Sequence, residues 1–158
     1  MNQAPQNQQY HSRGHVNHIS VEEAQEDPDC ILGTFLVNST PATVLFDCGA
    51  LHSFVTQKFA EKCGLEPTLL RGHMAIQTLG AVFRTNLGCR KVGTVINGTS
   101  FSTDLIVLKS QGLEVILGMD WLAKHQSILD YANRTITMTS DQGVKVKYVP
   151  KPTSTQVP

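Results

Sequence analysis

With 158 residues, 41% of them hydrophobic, the chain has room for one compact domain with a real core and too little for two. Aromatics are only 6%, so the core must be mainly Val, Leu, Ile and Ala. Thirteen basic and thirteen acidic residues cancel without forming a basic stripe, which argues against a nucleic-acid-binding face, and no apolar run approaches the roughly 18 residues of a membrane span.

Residues 1–27 are rich in Gln, Asn, His and Glu and poor in large apolar side chains, a composition that predicts a disordered segment. His11, His15 and His18 lie in it, with Gly14 between them and no Cys or carboxylate cluster nearby; they read as solvated tail residues, not metal ligands. The folded body is expected over 28–149, followed by a flexible linker over 150–158 (PKPTSTQVP). The start MNQAPQNQQY carries no apolar leader segment, which predicts an intracellular, cytoplasmic chain. The N-x-S/T triplets at Asn38, Asn97 and Asn133 then carry no glycan.

Within the body, strands are predicted over 30–37 and 42–46, around a turn at Asn38 to Pro41, and over 73–78 and 82–87, around Leu79, Gly80 and Ala81. Strands over 92–96 and 101–108 flank Asn97-Gly98, a strong hairpin signal, and residues 113–117 form a further buried run. Strands over 128–131, 134–139 and 144–149 close the body as an antiparallel meander. Two helices interrupt this pattern. One spans 54–63, with Ser53 as its cap and Gly64 as its stop; the other spans 120–125, with Trp121 and Leu122 turned to the core and Lys124 and His125 on a polar side. The fold class is mainly β, a small closed barrel.

Cys30, Cys48, Cys63 and Cys89 contain no C-x-x-C pair, so neither a zinc site nor a disulfide framework is expected, and no metal or cofactor is implied. The chemistry sits elsewhere. VLFDCGA (44–50) is an apolar strand that delivers Asp47 to a loop where Gly49 permits unusual backbone angles and Ala50 leaves room for close approach. Taken alone, Asp47 reads first as an aspartate capping its own loop, which is common after strands. About 70 residues on, a second apolar run ends in glycine, Ile116-Leu117-Gly118, and leads straight into the short helix.

Together these stretches resemble the retropepsin-like aspartic proteases, whose signature is two apolar residues, Asp-Thr/Ser-Gly-Ala, and later Ile-Leu-Gly before a helix. The similarity extends to the protease segment of plant gypsy-type LTR retrotransposon polyproteins, in the strings LVN (36–38), ATVLFDCGALHSF (42–54) and VILGMDWLAKH (115–125). The resemblance covers about residues 15–149. It implies a homodimeric endopeptidase acting on a peptide or polyprotein, in which Asp47 of each subunit meets the other across a two-fold axis. It also implies an active-site loop of Cys48, Gly49 and Ala50, a supporting Ile116, Leu117 and Gly118, and a flap over 73–87 with its tip at Leu79, Gly80 and Ala81. Asp120, at the start of the second helix, is read as structural.

Two positions depart from that pattern. Cys48 stands where the family has Ser or Thr, and a thiol is a poorer hydrogen-bonding partner than a hydroxyl, which predicts a weaker dimer and slower catalysis. A nucleophilic Cys48 is disfavoured, because neighbouring carboxylates raise a thiol's pKa. Leu51 stands where the similar segments carry Ser. These departures keep a second reading open: a catalytically impaired remnant of the same fold, acting as a dimerising or peptide-binding module.

Overall fold

The computed structural model describes residues 13–15, 20–27, 30–78, 81–110 and 112–150. The expected linker beyond residue 150, and the two flap-tip residues Leu79 and Gly80, lie outside the described residues.

The chain runs β1 (Arg13–His15), α1 (Val21–Glu26), β2 (Cys30–Val37), β3 (Thr40–Asp47), β4 (Phe54–Thr56), α2 (Gln57–Lys62), β5 (Thr68–Thr78), β6 (Ala81–Ile96), β7 (Thr99–Leu108), β8 (Val115–Leu117), α3 (Met119–Lys124), β9 (Ile128–Asp130), β10 (Thr135–Thr139) and β11 (Lys145–Tyr148). Eight strands form one sheet in the order β1-β5-β6-β2-β3-β8-β4-β7, and β6 also pairs with β7. The pairings among β6, β2, β3, β8, β4 and β7 therefore run in a ring, with β5 and β1 outside it. The meander β9-β10-β11 forms a second, antiparallel sheet, as its alternating sequence predicts.

Local chemistry explains the tight turns. Asn38 and Ser39 both take positive φ between β2 and β3, as do Asn97 and Gly98 between β6 and β7, the backbone that two-residue hairpins require. Asn38 is further fixed by its Nδ2 donating to the Cys63 carbonyl at 2.8 Å. The core has two parts. The larger gathers Phe35, Val44, Phe46, Phe101, Leu117 and Trp121 with residues of the meander, and a smaller one gathers Leu45, Ala50, Phe54, Ile76 and Ile116.

Several sequence expectations are corrected. The stretch expected to be a helix from residue 54 begins as β4, because buried Phe54, Val55 and Thr56 pair with β7, and the first two with β8 as well. The helix starts only at Gln57, and Thr56, not Ser53, caps it by accepting from the Phe59 N–H at 3.2 Å. The strands expected at 82–87 and 92–96 are one long strand, β6, whose register slips between Cys89 and Val92 without breaking the pairing to β7. His125 is buried rather than on a polar face: its ring packs against Trp121 and Phe101, and Nδ1 meets the Thr139 carbonyl at 2.9 Å. Lastly, the stretch 1–27 contains β1 and α1, both described below. The two expected helices are present as α2 and α3, and α1 is additional.

Candidate active site

Strands β3 and β8 run parallel, with Leu45 beside Ile116 and Phe46 beside Leu117. The next step of that register brings Asp47 to the level of Gly118, so the two motifs separated in sequence arrive side by side. Ile116 and Leu117 are both buried, one in each part of the core.

The loop after β3 is laid directly on the start of α3. Met119 N–H donates to the Ala50 carbonyl at 2.7 Å, and Asp120 N–H to the Leu51 carbonyl at 3.2 Å. A Cβ on Gly118 would collide with the His52 carbonyl oxygen and stand 2.6 Å from that of Ala50. That position must be glycine for the loop and helix to approach. Ser53 locks the junction: its hydroxyl donates to Asp120 Oδ1 at 2.6 Å and accepts from the Gly118 N–H at 3.0 Å. Asp120 Oδ1 also accepts from the Trp121 N–H at 2.7 Å. Ser53 was assigned a helix-cap role from sequence; its contact to residues 65 and 67 positions away carried no local signal.

Asp47 stands at the end of β3, 2% exposed. Its Oδ1 accepts from the Gly49 N–H at 2.8 Å, and its backbone carbonyl accepts from Ala50 N–H at 3.2 Å, so the loop turns tightly around the carboxylate. Its Oδ2 is buried and has no hydrogen-bond partner among the described residues. An acid oriented on one oxygen and open on the other is arranged to exchange a proton. The Cys30 thiol approaches Oδ1 at 3.8 Å from the paired strand β2, where Cys30 faces Asp47 in register. Burial, with Asp47 and Asp27 alongside, pushes that thiol far above its ordinary range. Cys30 was read from sequence only as a small buried residue.

Cys48 is half-buried, with its sulfur 3.1 Å from the Tyr131 hydroxyl, and Gly49 is exposed. A recess of about 270 Å³ beside it is lined by Cys48, Met119, Leu122, Leu129 and Tyr131 among others. Around it Leu51, Met119 and Tyr131 are large apolar side chains left in solvent, Leu51 at 59% exposure. Of the expected flap residues, Ala81 opens β6, and β5 pairs with β6 up to Thr78 opposite Ala81. All four cysteines are free thiols, and among the described residues no group of His, Cys, Asp and Glu is placed to hold a metal ion.

The family described as "Retroviral aspartyl protease" matches residues 11–144. Among curated proteins, "Protein DNA-DAMAGE INDUCIBLE 1" of Arabidopsis thaliana is 29% identical over 65% of this chain and 25% of its own length. "Protein DDI1 homolog 2" of Danio rerio is 24% identical over 84% of this chain and 33% of its own length. The chain thus spans between a quarter and a third of these relatives. Among solved structures, the retroviral protease-like domain of Ddi1 from Leishmania major superposes with a TM-score of 0.56 at 18% identity, covering 76% of this chain and 94% of that one. The fold is that of a retropepsin.

Proposed function

The chain belongs to the retroviral aspartyl protease family, and from that membership we propose that it is an aspartic endopeptidase whose site is completed by pairing two copies. Each chain supplies one D-x-G-A loop and so one catalytic carboxylate, Asp47. Two such carboxylates side by side cannot both ionise easily and share a proton. The ionised one takes a proton from water, whose oxygen bonds to the scissile carbonyl carbon; the protonated one donates to the carbonyl oxygen. As the tetrahedral centre collapses, the carboxyl that took the proton from water passes it to the nitrogen, a hydroxyl of the centre returns a proton to the other Asp47, and the C–N bond breaks to release the amine.

The observation that carries this reading is Asp47 itself: a carboxylate fixed through Oδ1 by Gly49, with Oδ2 unclaimed, on a loop seated against Gly118. Exposed Leu51, Met119 and Tyr131 around Cys48 and Gly49 support a second copy docking there, since apolar groups clustered beside an incomplete site favour association. The substrate class we infer is the polyprotein of a gypsy-type retrotransposon, supported by the strings ATVLFDCGALHSF and VILGMDWLAKH, with action inside the cell. An in-frame reverse-transcriptase region downstream in the coding sequence would uphold that setting, and a host gene without one would overturn it.

The test is hydrolysis of unfolded casein at mildly acid pH beside Asp47→Asn. Expected is cleavage by the parent, with a specific rate that rises with chain concentration, and none by Asp47→Asn; equal cleavage by both would contradict the proposal. A second reading, an impaired module, is favoured by the Cys48 sulfur, a weaker hydrogen-bonding group than a hydroxyl, engaging Tyr131 of its own chain. Cys48→Ser raising a weak parental rate would locate the impairment there.

A further inference from the structure

For the proposed reaction Asp47 must meet a peptide and a second Asp47, yet in the single chain it is almost inaccessible. The chain's own N-terminal segment pairs with the strand read as the flap and shares a buried cluster with the Asp47 loop. β1 lies along the outer edge of β5, in parallel register from Arg13 beside Ala75 to His15 beside Gln77. That is the free edge of the hairpin read as the flap, the kind of edge to which an extended peptide adds as a strand. Farther along the segment, Ala24 on α1 is 1% exposed and packs with Cys30, Leu45, Ala50, Phe54, Ile76 and Ile116, with Val21 partly buried beside it. Ala50 belongs to the Asp47 loop and Ile76 to the flap strand, so Ala24 joins the same buried cluster as both, while α1 itself lies chiefly against β2. Asp27 then reaches the same thiol that touches Asp47: Cys30 Sγ is 3.6 Å from Asp27 Oδ2 and 3.8 Å from Asp47 Oδ1.

The segment is held by docking rather than by its own stability. α1 has six residues, VEEAQE, far below the length at which an isolated helix persists. Elements with few buried apolar contacts open first. We propose that residues 13–15 and 20–27 are intramolecular occupants of the peptide-binding cleft, a strand on the edge of β5 and a helical plug at Ala24, which hold the chain in a low-activity state until displaced. This rests on the protease reading above, and it adds that the site is regulated by the segment preceding the catalytic body.

The test uses the full chain carrying Ala24→Glu, which puts a charge at the buried point of the plug, and separately Gly14→Pro, which removes a backbone donor from β1. Release is read by alkylation of Cys30 with iodoacetamide, located by mass spectrometry, with Cys63 as the control for general unfolding. Cleft access is read by binding of fluorescein-labelled pepstatin. Expected in either variant is alkylation of Cys30, but not Cys63, faster by about tenfold, and pepstatin binding tighter by about tenfold because the competent state is more populated. Faster Cys30 alkylation without tighter binding overturns the proposal, as does no change in either. Casein cleavage is scored separately: tighter pepstatin binding with no cleavage by any chain would refute the protease reading and leave the occluding segment standing.

Discussion

The adjacent parallel strands β3 and β8 each lead to an aspartate, and the two differ in almost every respect that matters. Asp120, after β8, is tied by the Ser53 hydroxyl and the Trp121 N–H on one oxygen, at the start of a helix where an acid is favoured. Asp47, after β3, is buried with one oxygen held by Gly49 and the other unpartnered among the described residues. The first carboxylate organises the loop junction. The second is held by its own loop, through the Gly49 N–H, and is the one to which the proposed function gives the chemistry.

Substitutions should separate the two roles. The largest effect is expected for Asp47→Asn: casein cleavage falls by about 10²–10⁴-fold, while thermal stability holds, because the amide oxygen of Asn can still accept from the Gly49 N–H. A clear loss of stability would break the comparison. Next comes Gly118→Ala, where the added Cβ meets backbone carbonyls that cannot easily move; chemical denaturation should show a loss of about 3 kcal/mol, the upper end for overpacking. Ser53→Ala removes the donor to Asp120 and leaves the Gly118 N–H without its acceptor, a loss of about 2–3 kcal/mol in the same assay. Asp120→Asn should cost about 1–2 kcal/mol and leave the pH profile of cleavage unchanged, the reverse of Asp47→Asn.

The smallest effect is on pH dependence. The folded chain holds the Cys30 thiol above its ordinary value of 9.0 through burial first and the neighbouring carboxylates second. On unfolding that thiol ionises near 9, so its contribution is fully present below that pH and is lost as pH rises above it. Cys30→Ala should therefore flatten the decline in stability between neutral and strongly alkaline pH, measured by denaturant melts across that range. An unchanged slope would show that Cys30 is not so placed.

Much of this arrangement was legible from sequence because it is written locally. VLFDCGA and VILG announce strand ends with a carboxylate and a glycine, and Asn97-Gly98 announces its hairpin. What stayed hidden depends on contacts distant in sequence. Ser53 reads as a helix cap until Gly118 and Asp120 are brought against it. His125 reads as a surface residue until Phe101, Trp121 and the Thr139 carbonyl surround it. The polar composition of residues 1–27 conceals α1, in which Ala24 and Val21 pack against core residues supplied by distant strands. Nor does any pattern in VLFDCGA reveal that Asp47 is covered.

The central claim is that two chains share one site, and mixing tests it most directly. Parent and Asp47→Asn chains are combined at fixed total concentration, allowed to exchange, and assayed for casein cleavage as the parental fraction is lowered. A rate that falls with the square of that fraction is the result predicted for a site needing Asp47 from both copies. A rate that falls in simple proportion would mean that each chain works alone, and would contradict the account.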